Sequence, residues 1–168
     1  MSNDVRLIDG CAPDWCCTRL DGAVQRQAEL PWCVPACVAM LSALGAPPLS
    51  QREAARRLRQ HDPPAPLDWR DRNAYAALER VLHGFDLHEA IAPDTAVRLT
   101  HDRLRRFGRA LVSSGGHAVL CVGTCADSVD WLGNRQPAWR VIDPWTGTLG
   151  WRALAPGGHA VDFAFAAC

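Results

Sequence analysis

Lysine is absent from this chain: all 18 basic residues are arginine, and 18 acidic residues bring the formal net charge to zero. That balance excludes a global basic field drawing the protein to nucleic acid or to an anionic membrane, so binding either would need a local patch. With plentiful Ala and Pro, the missing lysine reads most simply as GC-rich bacterial coding bias. A lysine-free surface would also offer no side chain for ubiquitin, which would suit an effector injected into a eukaryotic host. No apolar run approaches the roughly 20 residues that cross a bilayer. The start, Met1-Ser2-Asn3-Asp4-Val5-Arg6, has neither the basic region nor the apolar core of a secretory leader. The expectation is a cytoplasmic protein, or one secreted by a signal-peptide-independent route. Cys11, Cys16, Cys17, Cys121, Cys125 and Cys168 lack the Cys-x2-Cys pairs of zinc knuckles, so no metal or other cofactor is expected. Without a leader, the eight cysteines are expected to be reduced, most of them acting as small buried hydrophobes.

What the chain does contain is a candidate activated thiol. In Pro31-Trp32-Cys33-Val34-Pro35-Ala36-Cys37, the apolar set Val34, Cys37, Val38, Leu41 and Leu44 has helical spacing and Gly45 supplies a stop, predicting a helix over 33–44. Pro35 falls in the first turn, where its missing N–H is harmless. Cys33 then sits at the positive end of a buried helix, where unpaired N–H groups favour a thiolate. The amide of Gln27, six residues earlier, could fold back beside the Cys33 N–H as an oxyanion donor.

A base is available in Ser113-Ser114-Gly115-Gly116-His117-Ala118-Val119-Leu120-Cys121-Val122-Gly123, read as a tight turn and a strand opening at His117. A second strand, Trp139-Arg140-Val141-Ile142-Asp143, ends before Pro144, which cannot donate to a ladder, and Asp143 could orient the His117 imidazole. Gly115, Gly116, Trp32 and Trp145 are the candidate substrate-lining residues. His159 competes for the role of base, because Gly157-Gly158-His159-Ala160-Val161 repeats the pentapeptide at 115–119; it lacks a downstream Asp-Pro strand and is read as a surface turn residue.

At 168 residues the chain fits one domain. Residues 1–24 read as an irregular arm. Ser50 and Glu53 form a capping box for a helix reaching about Arg59, and further helices are expected near 70–83 and 101–107. Strands are expected at 110–113, 117–122, 138–142, 148–152 and 160–166. Helices first and an antiparallel sheet afterwards give an α+β architecture, with nucleophile and base facing each other across a cleft.

The order Gln27, Cys33, His117, Asp143 resembles the papain-like cysteine peptidase superfamily, in particular its compact bacterial branch of double-glycine-leader peptidases and related effector peptidases. There a Gln…Trp-Cys start, a Gly-His-Ala-Val strand and a Val-x-Asp-Pro strand recur. The resemblance spans roughly residues 25–150. It implies an N-terminal helical half carrying the nucleophile helix, packed on a C-terminal antiparallel sheet. It also implies Cys33 as nucleophile, His117 as general base, Asp143 as orienter and Gln27 as oxyanion donor, with Trp145 at the position of the aromatic that covers the histidine's hydrogen bond. Papain-type enzymes usually have Asn where this chain has Asp143, though the compact branch uses Asp; a carboxylate stabilises an imidazolium at least as well as an amide does.

The implied function is a thiol hydrolase cleaving a peptide bond in a peptide or protein substrate through a Cys33 acyl-enzyme. The same triad would serve a glutamine deamidase or acyl transferase, and the same fold could serve a non-catalytic peptide-binding module. The oligomeric state is left open by the sequence.

Overall fold

A computed structural model of the chain describes residues 6–7, 14–15, 20, 23–30, 32–45, 48–60, 87–90, 97–99, 109–114, 117–153, 159–161 and 163–167. Among them are two helices, α1 (Cys33–Gly45) and α2 (Gln51–Gln60), and ten strands. The strands are β1 (Arg6–Leu7), β2 (Asp14–Trp15), β3 (Leu87–Ala90), β4 (Val97–Leu99), β5 (Arg109–Ser114), β6 (His117–Val129), β7 (Arg135–Asp143), β8 (Thr148–Ala153), β9 (His159–Val161) and β10 (Phe163–Ala167). Every pairing is antiparallel, and the class is α+β. The main sheet runs β3-β10-β5-β6-β7-β8, with β1 and β2 added along β6, while β4 and β9 form a separate pair.

Helix α1 carries no charged residue and one polar side chain, Ser42, whose hydroxyl donates to the Ala39 carbonyl at 2.7 Å, and Trp32 through Ser42 are all buried. Side chains alternate along β6, so Ala118, Leu120 and Val122 share one face, and they enter a core with Val34, Cys37, Val38 and Leu41 of α1. Ala54 and Leu58 of α2, Leu111 of β5 and Ile142 of β7 complete it. Helix α1 is thereby pressed against the strand that begins at His117. No helix among the described residues is long and apolar enough to cross a membrane.

Several expectations need amendment. The arm over residues 1–24 is not wholly irregular, since Asp14–Trp15 pairs with Thr124 and Gly123, and Arg6–Leu7 with Val129 and Ser128. Gly123 does not end its strand: β6 continues to Val129 because β7 and the two arm strands flank it. The region expected as a single strand at 160–166 is two, β9 and β10, which join different sheets. His159 opens β9 opposite Leu99 and is not a turn residue. Ser50 accepts the Glu53 N–H at 3.1 Å, but the Glu53 carboxylate pairs with Arg56 and Arg57 and does not close the capping box. Cys125 is disulfide-bonded, against the expectation of reduced thiols, while Cys33, Cys37 and Cys121 are free. The helices expected near 70–83 and 101–107 lie outside the described residues, as do Gly115 and Gly116.

Candidate active site

Cys33 is the first residue of α1 and only 7% exposed. The opening N–H groups of a helix have no intrahelical acceptor, and the Val34 N–H is one that favours the Cys33 thiolate. The His117 side chain and the Ala118 N–H of β6 favour the thiolate in the same way. Burial alone would push the thiol up. The His117 hydrogen bond, the two N–H groups and the charge of the imidazole outweigh it, so the Cys33 pKa is lowered.

His117 opens β6, opposite Ser114 of β5, and its side chain is 37% exposed. Its Nε2 lies 3.0 Å from Asp143 Oδ1. The hydrogen bond with Cys33, with the carboxylate of Asp143 behind the ring, raises the His117 pKa against the opposing effect of burial. A lowered thiol facing a raised imidazole is the electrostatic condition for a thiolate–imidazolium pair.

Asp143 ends β7 because Pro144 follows it. Residues 144–147 form the hairpin loop to β8: the Gly147 N–H donates to the Asp143 carbonyl at 2.8 Å, and Asp143 pairs with Thr148. Gly147 has φ +68°, which favours glycine, and a Cβ there would come within 2.8 Å of Arg26 Cβ. Within the loop, the Trp145 N–H donates to Asp143 Oδ1 at 2.9 Å, while Arg152 of β8 approaches Oδ2 at 3.7 Å. Two donors on one oxygen and a guanidinium near the other fix the carboxylate.

Cys33, His117 and Asp143 thus meet although 84 and 26 residues separate them in sequence. Gln27 is placed differently from its expected role. Its backbone N–H donates to the Pro144 carbonyl at 2.6 Å, which sets it beside the Asp143 turn. Its side-chain Nε2, however, donates to the carbonyl oxygens of Glu29 and Leu30, and its Oε1 is buried without a partner. Both amide hydrogens are therefore committed within their own loop, and service as an oxyanion donor requires their release.

Trp32 is buried at 8% exposure, whereas Trp145 is 52% exposed. Trp145 and the segment Arg26–Leu30 line a cleft of about 380 Å³. Cys37, one turn after Cys33, is fully buried, and burial first, then the neighbouring Cys33, Cys121 and Asp143 charges, pushes its thiol well up. Burial does the same to Cys121. Sequence reasoning missed Arg152, the Trp145 N–H and Gln51, whose amide bridges Arg26 and Ala28. None had a local signal, since each acts across elements distant in sequence. Among the described residues, no group of three or more His, Cys, Asp or Glu side chains is arranged to hold a metal ion.

Compared with known proteins, the chain matches no family model, no curated protein and no solved structure.

Proposed function

We propose that this protein is a thiol hydrolase of the papain-like type that cleaves a peptide bond, with Cys33 as nucleophile, His117 as general acid and base and Asp143 as the residue orienting the imidazole. The observation that carries the reading is the juxtaposition of Cys33, at the start of α1, with His117, whose Nε2 lies 3.0 Å from Asp143 Oδ1. Papain-like packing, with a nucleophile helix against an antiparallel sheet, agrees with α1 lying on β6.

The Cys33 thiolate forms a C–S bond to the substrate carbonyl carbon, and the carbonyl electrons move onto oxygen at the N-terminus of α1. As the tetrahedral intermediate collapses, the C–N bond breaks and the His117 imidazolium gives its proton to the departing amine. Water, deprotonated by the now neutral His117, attacks the thioester. The acid leaves, and thiolate and imidazolium are regenerated. Asp143 holds Nε2 throughout and keeps its own charge, so that the imidazolium is stabilised in place.

The commitment of the Gln27 amide to Glu29 and Leu30 favours one alternative, a module of the same fold that holds a peptide without cutting it. Exposure to a peptidyl epoxide and then to a complex peptide mixture separates the two readings. The hydrolase reading requires a covalent adduct confined to Cys33 and new peptide termini that disappear in Cys33→Ala. Bound but intact peptides with an unmodified Cys33 would establish the binding module instead.

A further inference from the structure

Gln51 opens α2, but the helix does not need its side chain. Ser50 provides the cap, its hydroxyl accepting the Glu53 N–H at 3.1 Å and its carbonyl the Ala54 N–H at 2.9 Å. The Gln51 amide turns instead to the segment before α1. Its Oε1 accepts the Ala28 N–H at 2.8 Å, and its Nε2 donates to the Arg26 carbonyl at 2.7 Å and to Gln25 Oε1 at 3.2 Å. One side-chain amide therefore pairs with the backbone on both sides of Gln27, as an adjacent strand would.

The opposite edge of that segment faces the Asp143 turn. The Gln27 N–H donates to the Pro144 carbonyl at 2.6 Å and Arg26 Nε to the Trp145 carbonyl at 3.2 Å. The close approach of Gly147 to Arg26 shows the two segments packed backbone to backbone. Beyond this contact the Trp145 N–H reaches Asp143 Oδ1, Asp143 holds His117, and His117 bonds the Cys33 sulfur. A continuous series of contacts runs from the start of α2 to the nucleophile.

We infer that Gln51 is a positioning residue for His117: it braces residues 26–28 against the Pro144–Gly147 turn and so keeps the Asp143 carboxylate aligned on the imidazole. The inference rests on the reading of Cys33 and His117 as a working pair. Among the described residues, the charged and titratable groups facing His117 are Cys33 from α1, Asp143 from β7 and, behind Asp143, Arg152 from β8. Gln51 is uncharged, so its influence on the imidazole passes through geometry.

The test is the pH profile of Cys33 alkylation by iodoacetamide, followed by mass spectrometry. The chains compared are the parent, Gln51→Ala, Gln51→Met, Asp143→Ala and Gln51→Ala combined with Asp143→Ala. Gln51→Met keeps the stem length should the shorter side chain compromise folding, and circular dichroism with urea unfolding establishes that each chain is folded. Removing the brace should shift the low-pH limb upward by about half a unit, a roughly threefold loss of rate at pH 6. The rate at high pH, where the thiol is ionised without help, should stay unchanged. In the Asp143→Ala background the Gln51 substitution should add nothing, because the route has already been cut. An unmoved limb in the folded Gln51 variants, or an equal shift without Asp143, would overturn the positioning role. A parent chain without any His117-dependent limb would overturn the Cys33–His117 reading itself, and this inference with it.

Discussion

His117 Nε2 stands 3.0 Å from Asp143 Oδ1, the same oxygen that accepts the Trp145 N–H at 2.9 Å. The imidazole is therefore held from behind by a carboxylate that its own turn immobilises. Its other neighbour is the thiol of Cys33, the first residue of a buried helix. From that relation follow expectations for reactivity that need no knowledge of the substrate.

The Cys33 thiol is lowered and the His117 imidazole raised. A lowered thiol stays ionised until the pH falls through its folded value, and a raised imidazole stays charged until the pH climbs through its own. Between the two values the ion pair dominates. Alkylation of Cys33 should be rapid well below the free-thiol pKa of about 8.5 and fall away on further acidification. In His117→Ala, burial is no longer offset by the imidazole, and the limb should move to or above the free-thiol range. Matching profiles in the two proteins would refute the pair.

Asp143→Asn and Asp143→Ala separate charge from orientation. Asn keeps an oxygen that can accept from Trp145 N–H and from His117 but removes the charge that helps raise the imidazole; Ala removes both. At pH 6 the rate of Cys33 alkylation should fall in the order parent, Asn, Ala, by about tenfold for each unit by which the limb is displaced. Equal rates in three folded proteins would show that the carboxylate does not act on the pair.

The reach of sequence reasoning can be judged from individual elements. Helix α1 was legible because Val34, Cys37, Val38, Leu41 and Leu44 recur at helical spacing before Gly45, and Asp143 because Pro144 must end a ladder; both signals are local. Strands β1 and β2, two residues each, have no periodicity of their own and exist because β6 offers an edge. The extension of β6 through Gly123-Thr124-Cys125 was hidden for the same reason, since pairing with β7 overrides a sequence that resembles a turn. Gln27 could be found by its distance from Cys33, but the commitment of its amide to Glu29 and Leu30 depends on how the loop closes. Gln51 looks like any polar residue at a helix start.

The three free thiols among the described residues should react in a fixed order. Cys37 and Cys121 are fully buried with their thiols pushed well up, whereas Cys33 is lowered. In native protein treated with iodoacetamide at neutral pH, Cys33 should be the first of these three to be labelled, with Cys37 and Cys121 unmodified until urea unfolds the chain. Peptide mapping after graded exposure measures this. Labelling of Cys37 ahead of Cys33 in folded protein would mean that the first turn of α1 opens.

Gly147→Ala tests the contact between the Asp143 turn and the segment that carries Gln27. A left-handed backbone costs a non-glycine residue about 1–2 kcal/mol. That penalty applies equally to Gly133, whose φ is +85°, and to Gly147, whose φ is +68°. Among the described residues nothing lies within 4 Å of a Cβ on Gly133, whereas at Gly147 it would meet Arg26 Cβ at 2.8 Å and Arg26 Cα and N at 3.2 Å. Backbone atoms cannot swing aside as a side-chain tip does, so the turn itself must move. Urea unfolding should show Gly147→Ala to be clearly more destabilising than Gly133→Ala. Only the former should also raise the low-pH limb of Cys33 alkylation, because Trp145 and Asp143 move with the turn. If the two alanine variants lose the same stability and leave the limb in place, the packing of Gly147 on Arg26 has no part in aligning His117.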